Sequence, residues 1–113
     1  MNNFDWANEL NVAVTVCDLN GIVLYMNEKS AKTFSKDGGK NLIGKSLMGC
    51  HSEKSKAKIS ELMGDASTNA YTIEKNGIKK MIYQTPWFVA GKIEGLVEFS
   101  MEIPLEMAHF KRE

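Results

Sequence analysis

A chain of 113 residues has room for one domain around one hydrophobic core. Its 43% hydrophobic and 25% charged residues place it among ordinary globular chains rather than disordered or fibrous ones. Fourteen basic and fourteen acidic side chains cancel, so net charge gives no pull toward nucleic acid or an anionic membrane. No apolar run approaches the roughly 18 residues of a membrane span. The opening MNNFDWANEL lacks the basic and apolar regions of a signal peptide. A cytoplasmic protein is expected, with Cys17 and Cys50 as reduced thiols.

Residues 3–10 read as a short amphipathic flanking helix, with Phe4 and Ala7, or Trp6 and Leu10, at helical spacing. Val12, Val14 and Val16 alternate with Ala13, Thr15 and Cys17, the period of a half-buried strand over about 12–18. Asn20-Gly21 offers two positive-φ positions for a two-residue hairpin, and the return strand covers about 22–27. Asn27 can cap a helix over about 28–35 whose inward face is Ala31 and Phe34. Lys36-Asp37-Gly38-Gly39 is a turn cluster. A longer helix is expected over 51–64, with Ile59, Leu62 and Met63 as an apolar stripe, the lysines opposite and Gly64 as the stop.

The second half is strand-like. Tyr71–Lys75 alternates, Asn76-Gly77 offers a hairpin, and Ile78–Val89 reads as one long strand in which Pro86 requires a bulge or an edge. Ala90-Gly91-Lys92 turns the chain into a last strand, Ile93–Ile103. There Leu96, Phe99 and Met101 break strict alternation, so a bulge or burial on both faces is expected. The segments divide as a flanking helix (1–10), a domain (11–104) and a peripheral tail (105–113).

The order strand, tight turn, strand, helix over Val12–Phe34 resembles the opening of a PAS domain, on the residues Asp18, Gly21, Val23, Asn27 and Ala31. Asn41–Ser46 is similar to the element that precedes the longest PAS helix. The resemblance covers about residues 10–104 and implies an α+β fold: a five-stranded antiparallel sheet in the order 2-1-5-4-3, with short helices on one face. It also implies a sensor or interaction module more often than an enzyme. The run Gly49-Cys50-His51-Ser52, with Lys54, Ser55 and Pro86-Trp87-Phe88, looks like a group of small bacterial PAS sensors in which a Cys-His pair opens the long helix. Pro104, Met107, His109, Phe110 and Arg112 match the tail of that group.

His51, Ser55, Ile59 and Leu62 share one helical face, and the two apolar members make it the inward one. His51 there can ligate a haem iron, hydrogen-bond a small anion, or satisfy a buried carbonyl or the helix end. The free N–H groups of the helix start suit a carboxylate or phosphate. Cys50 at the same start is expected to have a lowered pKa, or simply to pack. Met48, Ile59, Met63, Met81 and Tyr83 form a soft apolar lining, and Trp87 packs in the sheet, lines the cavity or faces a partner. The candidate binding set is thus His51, Ser55, Cys50, Ile59, Met63, Tyr83 and Trp87, with His51 a metal ligand only if haem is bound.

Photosensory PAS domains carry an arginine and a glutamine in the cysteine region that hold flavin; this chain keeps only the cysteine, so flavin is not expected. Neither a Walker loop, a zinc-ligand spacing nor a nucleophile elbow is present, and no catalytic role is assigned. Two functions follow. A sensor would bind a small molecule between the long helix and the sheet and act on a downstream signalling protein. An interaction module would bind no ligand and form a homodimer through the sheet face and the apolar Phe4, Trp6 and Leu10.

Overall fold

The computed structural model describes residues 5–46 and 53–113, with the backbone alone for 53–56. Strands β1 (Ala13–Asp18) and β2 (Val23–Met26) form a hairpin followed by helix α1 (Glu28–Thr33). Two 3-10 turns, Ser35–Asp37 and Gly39–Leu42, carry the chain to α2 (Glu53–Asp65). Strands β3 (Asn69–Lys75), β4 (Ile78–Val89) and β5 (Lys92–Ile103) complete a five-stranded antiparallel sheet in the order β2-β1-β5-β4-β3. No helix among the described residues is long and apolar enough to cross a membrane.

Local chemistry explains each connection. The first hairpin differs from the two-residue turn that Asn20-Gly21 predicts, because only Gly21 adopts a positive φ (79°). Asp18 takes over the turn instead. Its carboxylate accepts from the N–H groups of Asn20 and Ile22 at 2.8 and 3.0 Å, and its carbonyl accepts from Gly21 N–H at 3.0 Å. The result is a three-residue loop closed by a left-handed glycine. In the other two hairpins both loop residues are left-handed: Asn76-Gly77 as expected, and Ala90-Gly91, where alanine tolerates φ 50°.

Helix α2 runs through Gly64 to Asp65 and stops at a left-handed Ala66, φ 53°, with Ser67 N–H donating to the Leu62 carbonyl at 3.1 Å. Gly64 is thus inside the helix, where an exposed glycine costs only about 1 kcal/mol. Residues 6–9 form turns rather than the expected helix. They are held by 3.3 Å hydrogen bonds from Asn8 N–H to the Asp5 carbonyl and from Leu10 N–H to the Ala7 carbonyl. The tail beyond Pro104 is exposed and without regular structure.

Pro86 is tolerated in β4 because β3 pairs with that strand only as far as Gln84, leaving an edge beyond it. The register slips once, between Trp87 and Phe88, where Gly95 and Ile93 are their partners and Glu94 is the extra residue. From Gly95 to Ile103 the ladder is continuous, so Leu96 lies on one face and Phe99 and Met101 on the other.

Two apolar clusters anchor the helices. Ile59, Leu62 and Met63 of α2 pack on Cys17 and Leu96, with Ile93 beside them. Val23, Met26 and Leu42 form a second cluster against Phe34. In α1 the fully buried residue is Ser30, not Ala31 or Phe34, which are only partly covered. Its hydroxyl hydrogen-bonds the Thr15 hydroxyl of β1, which removes the cost of burying both.

Candidate functional site

Because Cys17 and Leu96 lie under α2, alternation assigns Thr15, Glu98, Gln84 and Asn69 to the same side of the sheet. The register makes these four a single row across four strands: Thr15 opposite Glu98, Glu98 opposite Gln84, Gln84 opposite Asn69. Asn69 Nδ2 donates to Gln84 Oε1 at 3.0 Å, and Gln84 Nε2 donates to Glu98 Oε2 at 2.8 Å. Gln84 is 7% exposed, whereas Glu98, on the central strand, remains partly open. A carboxylate at the middle of a sheet's covered face is unusual unless paired. Among the described residues no lysine or arginine forms an ion pair with it.

Tyr71 stands on this same face, one pair further along β3, and is 44% exposed. Desolvation, and then the nearby Glu98 charge, raise its phenol pKa above the ordinary value. The face continues toward the β3–β4 hairpin into an open recess of about 300 Å³ lined by Ile73, Lys75, Asn76, Ile78 and Lys80. No group of three or more His, Cys, Asp or Glu among the described residues is placed to hold a metal ion.

The residues expected at the site separate into three groups. Ile59 and Met63 lie on the buried face of α2, against Cys17 and Leu96. Tyr83 and Met81 alternate with Gln84 and Ile82 and so lie on the opposite face of the sheet, apart from Ile59 and Met63. Trp87 is on that opposite side too: half-buried, its indole N–H donates to the Cys17 carbonyl at 3.0 Å, fastening β4 to β1 across Gly95. The expectations for Cys50 and His51, and for Met48, lie outside the described residues, and Ser55 is described only as backbone within α2. The other cysteine, Cys17, is buried, and desolvation pushes its thiol pKa above 9.0. It is held in the inert thiol form.

The row Asn69–Gln84–Glu98 was missed in the sequence because its members sit 14 or 15 residues apart and only strand register joins them. The available signal was polarity beside apolar positions of the same face: Gln84 stands between Ile82 and Pro86, and Glu98 follows Leu96.

This sheet order, with both helices over one face and a polar row on the floor between them, defines an α+β architecture of helices layered on an antiparallel sheet. The chain has the PAS fold. It is similar to a sensory box sensor histidine kinase from Vibrio cholerae, with a TM-score of 0.67 at 15% identity over 89% of each chain. It is similar to the Aer2 receptor from Vibrio cholerae, a dual PAS-heme oxygen sensor, with a TM-score of 0.64 at 12% identity over 82% of this chain and 95% of that one. Vibrio cholerae VqmA superposes with a TM-score of 0.68 at 17% identity over 90% of this chain, which spans about half (52%) of VqmA. No protein-family model and no curated sequence matches the chain.

Proposed function

We propose that the chain is a sensory signalling module that holds a small molecule between α2 and the sheet and relays its presence to a partner protein. The observation that carries this reading is the polar row on the helix-side face. A chain under no demand but stability has no use for a carboxylate, an amide and a second amide on the floor beneath its helices. The fold supports it, since VqmA is known bound to DPO and Aer2 is a PAS-heme sensor. Relay would run through β5, the central strand, which carries Glu98 and pairs with both β1 and β4.

The test is mass spectrometry of the purified protein under native and then denaturing conditions, with an absorbance spectrum of the same sample. The expected result is an excess mass that dissociates on denaturation. A Soret band lost in His51→Ala would identify that mass as haem. A native mass equal to the polypeptide alone, unchanged after incubation with cell extract, would overturn the reading.

A second reading is favoured by the exposed apolar surface opposite the helices. Trp6 is 61% exposed, and Val16, Val97, Phe99, Met101, Met81 and Tyr83 share the outer face of the sheet, none of them fully buried. We propose that this face joins two copies as a homodimer. Sedimentation as a monomer at tens of micromolar, roughly the range of a modest interface, excludes it.

A further inference from the structure

The direction of the hydrogen bonds along the row says more than that a ligand binds. A carboxylate only accepts, so the Glu98 oxygen fixes which way the Gln84 amide points: Nε2 toward Glu98 and Oε1 toward Asn69. Gln84 Oε1 in turn draws the Asn69 Nδ2 group to itself. The row is therefore polarised from Asn69 to Glu98, each bond strengthening the next. Its end at the centre of the sheet is an oxygen carrying negative charge, with one hydrogen bond from the described residues and lone pairs to spare.

Around that oxygen the described residues provide no competing donor of strength. Thr15, its neighbour on β1, shares a hydrogen bond with Ser30 and makes none to Glu98. Lys29 pairs with Glu102 at 3.9 Å and Lys58 with Glu61 at 3.5 Å. Lys80 shares the face but stands four residues along β4 from Gln84, roughly 13 Å at the strand rise, farther than the Debye length of about 8 Å at physiological salt. Tyr71 stands on the same face, its phenol pKa raised by desolvation and then by the Glu98 charge, and makes no hydrogen bond to Glu98.

We propose that this site selects a ligand that donates hydrogen bonds, through a protonated amine or a neutral N–H or O–H group, and that Glu98 is the acceptor that selects it. A carboxylate or phosphate head is excluded from this point by like charge. An apolar or aromatic body would lie toward α2 and Tyr71. The inference rests on the sensor reading and deepens it, because it assigns the ligand's polar end to a residue.

The experiment uses the full chain and a set of small aromatic fragments matched in size: amines, neutral N–H or O–H heterocycles, and carboxylates. Binding is read from the Gln84 side-chain amide signals in nitrogen-proton NMR spectra, since Nε2 touches Glu98 directly. Amines and neutral donors are expected to shift those signals, and carboxylates are not. In Glu98→Gln the residue at 98 can still accept from Gln84 but turns its own N–H outward. Donor fragments should weaken there by about tenfold or more, the loss of one charge-assisted hydrogen bond.

Carboxylates binding as well as donors in the wild-type chain would overturn the inference without any variant being needed. So would donor affinities unchanged in a folded Glu98→Gln, or fragments that bind without moving the Gln84 signals. Binding without preference leaves the sensor reading standing, whereas failure of every fragment to bind overturns the inference together with that reading.

Discussion

The helix-side face of the sheet holds two neighbouring surfaces made from the same strands. Toward the β4–β5 hairpin, Cys17 and Leu96 meet Ile59, Leu62 and Met63 of α2, all of them buried. One row along, Thr15, Glu98, Gln84 and Asn69 put hydroxyl, carboxylate and amide groups where the same strands had put sulfur and hydrocarbon. Each buried apolar side chain of the first surface contributes about 1.5–3 kcal/mol. The second surface at best recovers through hydrogen bonds what its desolvation costs. The difference teaches that the apolar end holds the domain together while the polar row adds little net stability.

The sharpest way to break this comparison is at Gly95, where a Cβ would overlap the Cys17 carbonyl oxygen that Trp87 bonds. Gly95→Ala should cost about 3–5 kcal/mol in urea unfolding and shift the tryptophan emission. A loss below about 1 kcal/mol would show that the apolar end is not rigid. Next comes Leu62, 1% exposed at the centre of that end: Leu62→Ala should cost about 3 kcal/mol by the same measurement.

In the polar row, Gln84→Leu alone leaves Glu98 without its described donor and should cost about 2 kcal/mol. The double change Gln84→Leu with Glu98→Leu removes both partners and should be nearly neutral, within about 1 kcal/mol of the wild type. A double-mutant cycle showing no coupling between the two positions would refute a bonded row.

The thiol of Cys17 gives a pH signature of the apolar end. Burial raises its pKa in the folded state, so above the ordinary value the unfolded chain loses its proton first. The Cys17 contribution to stability is therefore intact below pH 9.0 and is lost as pH rises beyond it, by up to about 1.4 kcal/mol per pH unit. Cys17→Ala should remove this group's part of the slope in denaturant titrations across that range. The smallest effect is expected at the turn that closes this end: Ala90 has φ 50°, and Ala90→Gly should raise stability by about 0.5 kcal/mol.

Strand and helix boundaries were largely legible because they depend on neighbours in sequence. Ile78–Val89 matches β4 residue for residue, and Asn76-Gly77 makes the expected turn. The first hairpin was misread because Asp18 supplies hydrogen bonds that replace the second left-handed residue. The inner and outer faces were harder still. Tyr83 and Gln84 are adjacent and equally plausible as lining until the pairing of Leu96 with Cys17 under α2 decides which side is covered. Of the expected lining, Ile59 and Met63 were readable from helical spacing alone, while Glu98 depends on partners from two other strands.

Asn27 is fully buried and makes four side-chain hydrogen bonds. Its Oδ1 accepts from Val14 N–H and Ser30 N–H, each at 2.9 Å. Its Nδ2 donates to the carbonyls of Ala7 at 2.8 Å and Val12 at 2.7 Å. One side chain thus caps α1, pins β1 and holds the segment before the sheet. Mechanically it is a shared fastener: the flanking segment cannot lift away without uncapping the helix and loosening the strand. In hydrogen exchange, the Val14 and Ser30 amides should accordingly open as one unit, so a pull on the N-terminal flank would be felt at Thr15, next to the carboxylate of Glu98.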